Sequence, residues 1–131
     1  MSKKQLTITV FGNELEERDN MAVRIAGMMK MEGVEFEVRD PTELLEPPSD
    51  PWVMLDVGEG IDEVVVIDDL KHLSSVGGMG AHDYDVYMDL ALRQKLGQLP
   101  AIRIIVIPVG FGDKEAVEGV EREIRKVIQV R

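Results

Sequence analysis

Three stretches of this 131-residue chain carry side chains suited to metal or proton chemistry. Asn13, Glu14, Glu16, Glu17 and Asp19 follow an apolar segment, LTITVF. Asp68 and Asp69 follow the β-branched run VVVI, and His82 and Asp83 close a glycine-rich stretch at 74–83. Two carboxylates and an imidazole form a donor set for a borderline divalent metal, with positions left open for a ligand. Each residue also has a plainer reading. Asp19 suits a helix cap, Asp68 and Asp69 suit a loop after a strand, and His82, like His72, suits an exposed surface. Other chemistries lack their signatures. There is no cysteine for a thiol nucleophile, a zinc finger or a disulfide. No Walker sequence occurs, and Gly77-Gly78-Met79-Gly80 lacks the dinucleotide-binding spacing. Ser74 and Ser75 lack a nucleophile elbow.

The elements that would position these groups alternate between strand and helix. LTITVF reads as a first strand, and residues 20–31 as a helix with Met21, Ile25, Met28 and Met29 at helical spacing, ended by Gly33. VEFEV at 34–38 alternates strictly and predicts a half-exposed edge strand whose glutamates discourage edge pairing. Pro41, Pro47, Pro48 and Pro51 interrupt the next stretch, which holds one helical turn at 42–45 and a short strand, WVML, at 52–55. VVVI at 64–67 predicts a strand covered on both faces. Residues 83–96 read as a helix, IRIIVIPV at 102–109 as another buried strand, and 114–130 as an amphipathic helix built on Val117, Val120, Ile124, Val127 and Ile128. The pattern predicts one domain over residues 1–131, a three-layer α/β/α sandwich around a mostly parallel twisted sheet. In such sheets ligands bind beyond the carboxyl ends of the strands. If the strands ending at Phe11 and Ile67 are neighbours, Asp19, Asp68 and His82 converge on one point there.

Composition narrows the partners. Fifteen Lys and Arg stand against 25 Asp and Glu, a formal charge of −10, so a phosphate backbone is repelled and nucleic acid is not expected. No apolar run reaches the roughly 20 residues of a membrane span. Met1-Ser2-Lys3-Lys4 runs straight into a strand pattern without a cleavable small-residue site, so the expectation is a cytoplasmic protein.

The first of the three stretches resembles the opening motif of the hydrogenase maturation endopeptidases, a strand followed by G-N-x-L-x-x-D-(D/E)-G-x-G and a helix. Here the residues are Gly12-Asn13-Glu14-Leu15-Glu16-Glu17-Arg18-Asp19-Asn20-Met21-Ala22, and Arg24 also suits the pattern. The resemblance implies that Asp19 is a metal ligand. The family's aspartate after a hydrophobic strand (V-D-A) falls on Asp68, and its histidine before a helix falls on His82. Asp40-Pro41-Thr42 faintly echoes a further motif, D-(G/C/F)-G-T. Arg18 stands where the family has its first acid, and Asn20 and Ala22 stand where it has glycines. The resemblance implies an endopeptidase that removes the C-terminal extension from a nickel–iron hydrogenase large-subunit precursor. Asp19, Asp68 and His82 would be its catalytic residues, gripping nickel that the substrate carries. The altered motif leaves a second reading, an idle homologue that binds a metalloenzyme subunit during assembly. A third, a phosphate-signalling receiver domain, needs an acid pair directly after the first strand, where Gly12-Asn13 stands.

Overall fold

The computed structural model describes residues 6–11, 21–39, 46–70 and 81–130, with side chains throughout except at 81–87 and 130. In chain order the elements are β1 (Leu6–Phe11), α1 (Met21–Met28), β2 (Val34–Arg39), β3 (Trp52–Gly58), β4 (Val65–Ile67), α2 (Ala81–Lys95), β5 (Ile102–Pro108) and α3 (Asp113–Val130). The strands form one sheet in the order β2-β1-β3-β5-β4. β1, β2, β3 and β5 are mutually parallel, and β4 runs antiparallel to β5. Helices cover both faces, so the three-layer α/β/α architecture and the mostly parallel sheet are as the sequence predicts.

Strand periodicity divides the core in two. Ile8 and Val10 of β1, Val53 and Leu55 of β3, and Ile105 and Ile107 of β5 face α1 and α3, where Ile25, Val120 and Ile124 close over them. Trp52 and Met54 of β3, with Ile104 and Val106 of β5, face the other way and meet Leu90 of α2. In α3, Ala116, Val120 and Ile124 lie four residues apart and are all buried, whereas of the expected stripe Val117 and Val127 are half-buried and Ile128 is exposed, so the inward face is centred one residue earlier than the spacing predicts. Gly33, at φ 80°, takes the left-handed turn that carries the chain from α1 into β2. Its carbonyl accepts the Leu6 N–H at 2.7 Å, which ties the turn to the start of β1.

Two strands differ from the expectation. β3 runs three residues past Leu55 and is the central strand of the sheet, buried through its first four positions. Pro47, Pro48 and Pro51 beside it break the chain only up to the strand's first residue. β4 is a three-residue antiparallel strand at the edge, with Val65 and Val66 half-buried, and not a doubly covered parallel strand. The reason is connection length. Only residues 59–64 link β3 to β4, whereas a parallel crossover needs about a dozen residues or more. β2 is the opposite edge, as its alternation predicts. The expected helical turn at 42–45 lies outside the described residues, as does most of the glycine-rich stretch.

Candidate functional site

The chain leaves β1 to build β2 on one side and then returns to place β3 on the other. The carboxyl ends of β1 and β3 therefore flank a topological switch point, the position where open α/β sheets bind ligands. One acidic side chain of the described residues is built into that position. Asp56 lies in β3 one residue beyond the Val10–Leu55 pair and opposite Val106 of β5. Strand alternation puts it on the α2 face with Trp52 and Met54, between the buried Phe11 and Val106. The half-buried carboxylate accepts the Val57 N–H at 2.8 Å through Oδ1, which orients it at the strand end. An acid held against apolar walls at a switch point is equipped to grip a cation or an electrophilic group.

α2 approaches the same place from above. The Arg93 guanidinium sits 5.8 Å from the centre of the Trp52 ring, which fixes the last turn of α2 at the amino end of β3. His82 lies eleven residues earlier in that helix, about 16 Å along its axis. Four strand steps from Trp52 to Asp56 cover about 13 Å in the same sense. The backbone of His82 is in the first turn of α2, at the end of the helix away from the Arg93–Trp52 contact, and α2 packs through Leu90 on the sheet face to which Asp56 belongs.

Asp68 goes elsewhere. The premise of the expected convergence, that the strands ending at Phe11 and Ile67 are neighbours, is not met, because β3 and β5 lie between them. β4 also runs antiparallel, with Ile67 opposite Ile104, so Asp68 emerges toward the amino ends of the parallel strands. Two strand spacings and three residue steps separate it from Asp56, roughly 14 Å, too far for one ion to touch both. Asp68 is an exposed acid after an edge strand. Asp19, two residues before α1 in sequence, lies outside the described residues, as do Asn13, Glu14, Glu16 and Glu17.

Asp56 is the residue that the sequence reading passes over. The signal for it is WVMLD, also an acid at the end of a hydrophobic strand; the expected strand at 52–55 stops just before it, whereas β3 runs through it to Gly58. On the other sheet face, Arg24 of α1 donates from Nη2 to Asp113 Oδ1 at 3.1 Å and joins the starts of α1 and α3. Both side chains are about half exposed, so the pair contributes at most about 1 kcal/mol. Among the described residues, no three His, Cys, Asp or Glu side chains gather closely enough to hold a metal ion. No helix among them is long and apolar enough to cross a membrane.

The fold and the switch-point carboxylate define an α/β/α protein with its candidate site at the carboxyl end of the central strand. Two solved structures share this architecture along nearly their whole length. One is the NiFe hydrogenase maturation protease HybD from Thermococcus kodakarensis, at a TM-score of 0.63 and 18% identity, covering 90% of this chain and 97% of that one. The other is the hydrogenase maturating endopeptidase HybD from E. coli, at a TM-score of 0.59 and 11% identity, covering 92% and 93%. At these identities the likeness establishes the fold. No family model matches the chain, and no curated protein matches it in sequence.

Proposed function

We propose that this protein is an endopeptidase of hydrogenase maturation, removing the C-terminal extension of a nickel–iron hydrogenase large-subunit precursor. The observation that carries the reading is Asp56, an acid at the switch point of a fold shared with two maturation proteases. Asp56 takes the part that the resemblance gives to Asp68, an acid at the end of a hydrophobic strand, and it lies at the carboxyl end of the parallel strands. In this reading Asp19, Asp56 and His82 grip nickel that arrives in the precursor, so the metal is part of the substrate. The grip holds the scissile peptide beside the metal. A water oxygen then bonds to the carbonyl carbon, the C–N bond breaks, and the departing amine takes the proton. In this reading the protein acts in the cytoplasm.

The test is cleavage of a nickel-loaded precursor, followed by mass spectrometry of the product. Asp56→Asn is expected to slow it by about 100-fold or more, with the circular dichroism spectrum unchanged. Cleavage by Asp56→Asn at the wild-type rate would sink the assignment of Asp56.

A second reading, the idle homologue that binds a metalloenzyme subunit, draws on Arg18, Asn20 and Ala22, which stand at an acid and two glycines of the family motif. Ala22 itself is buried in α1 against the main core, so its methyl is absorbed by packing. A wild-type protein that holds the precursor and never shortens it would select this reading. The receiver-domain reading finds no support, since those domains have a 2-1-3-4-5 strand order and the order here is β2-β1-β3-β5-β4.

A further inference from the structure

α2 is unlike the other helices in what it turns outward. Leu90 is fully buried against the sheet, yet Met88, Leu92 and Leu96 are 50%, 57% and 60% exposed. They lie four residues apart, and the Leu96 N–H donates to the Leu92 carbonyl at 3.1 Å, which keeps the helical spacing through the end of α2. The three side chains therefore form one apolar stripe on the solvent face. The remaining large exposed apolar residues among those described, Met28, Val38, Val109 and Ile128, belong to four other segments.

The stripe presents on the order of 300 Å² of apolar surface, about the size of the largest apolar patch on a typical monomer. A stable pair of identical chains needs about 800 Å² on each partner, so the stripe alone falls well short of holding a second copy. It is suited to a partner that docks and leaves. Its position indicates which partner. The stripe begins six residues after His82 on the same helix, about 9 Å along its axis, and this helix packs on the sheet face to which Asp56 belongs. A protein whose tail reaches Asp56 past the start of α2 would lie along this face.

We propose that the Met88-Leu92-Leu96 stripe of α2 is the docking surface for the folded body of the large-subunit precursor, engaged through an apolar helix or strand of that subunit. The proposal rests on the peptidase reading above. Methionine at the end nearest the site supplies an unbranched, adaptable contact, and the two leucines supply fixed ones.

The experiment is steady-state cleavage of nickel-loaded precursor by full-length wild type, Leu92→Glu, Leu96→Glu and, as a control, Ile128→Glu on α3. Precursor binding is measured in parallel by biolayer interferometry. Both α2 variants are expected to raise KM and Kd about tenfold or more with kcat within about twofold, and Ile128→Glu is expected to match wild type. An unchanged KM in both α2 variants, with wild type active, overturns the docking proposal and leaves the peptidase reading standing. Wild type that binds without cleaving, and loses binding in Leu92→Glu, overturns the peptidase reading and supports the docking surface. Wild type that neither binds nor cleaves overturns both. A dimer seen by sedimentation, dissolved by Leu92→Glu, assigns the stripe to a second copy and also overturns the proposal.

Discussion

Trp52 ties three elements together through one side chain. From the start of β3 it donates its indole N–H to Thr9 Oγ1 of β1 at 2.9 Å, and its ring carries the Arg93 guanidinium of α2. Arg93 is in turn held by Asp89, four residues back, at 3.1 Å. Thr9 is the one polar residue among those described that is buried, so its hydroxyl depends on this partner. Trp52→Phe removes the donor and opens a small void, which predicts a loss of about 1–3 kcal/mol in urea unfolding. The same side chain aligns α2 along the sheet, so it also sets where His82 stands. His82→Ala is expected to abolish cleavage of nickel-loaded precursor while leaving far-ultraviolet circular dichroism unaltered; retained cleavage would remove the imidazole from the site. The residue scale is also where the sequence was least legible. Asp56 and Asp68 both follow apolar strand residues, and local pattern treats them alike. Only strand direction separates them, and direction is a property of the connection, which no single residue carries.

At the scale of elements, connection lengths decided what composition could not. Strands with continuous apolar patterns, such as β1 and β5, and the amphipathic α3 are readable because each buries a face in place, and β2 is readable from its alternation although Val38 stays exposed. β4 departs from its pattern because a run of valines looks the same at an edge as at the centre, while the six residues before it exclude a parallel crossover. The contact of α3 with Val64, the residue before β4, shows how closely that edge is fitted. A Cβ placed on Gly119 would lie 2.6 Å from Val64 Cγ2 and 3.2 Å from Val64 Cβ, inside any normal contact. Alanine would gain about 1 kcal/mol of helix propensity, but Val64 is β-branched and cannot swing clear. Gly119→Ala is therefore expected to destabilise the protein by about 1–2 kcal/mol net in chemical denaturation. In a Val64→Ala background the same change is expected to be neutral or stabilising, and a persistent penalty there would show that the contact is not the cause. The exposed ion pairs along α3, Glu121–Arg125 and Glu123–Lys126, add only a few tenths of a kcal/mol each.

Across the whole molecule, a charge of −10 is carried on 131 residues, and self-repulsion works against the compact state. Raising ionic strength from about 0.01 M to about 0.15 M shortens the screening length from roughly 30 Å to roughly 8 Å. The thermal midpoint is expected to rise by about 2–5 °C over that range, read by calorimetry. A flat or falling midpoint would mean that the charges are already locally compensated. The order of the sheet has a consequence for how the chain is made. β5 is the strand that joins β3 to β4, yet it is synthesised after both. While the chain emerges residue by residue, β3 presents one open side and β4 has no strand to rest on until 102–108 appear. A nascent chain of about 100 residues would thus hold an unfinished sheet with its widest apolar strand bare along one edge. Residues 102–108 complete the sheet, so termination before them leaves β3 and β4 unjoined, a chain for chaperones and proteases.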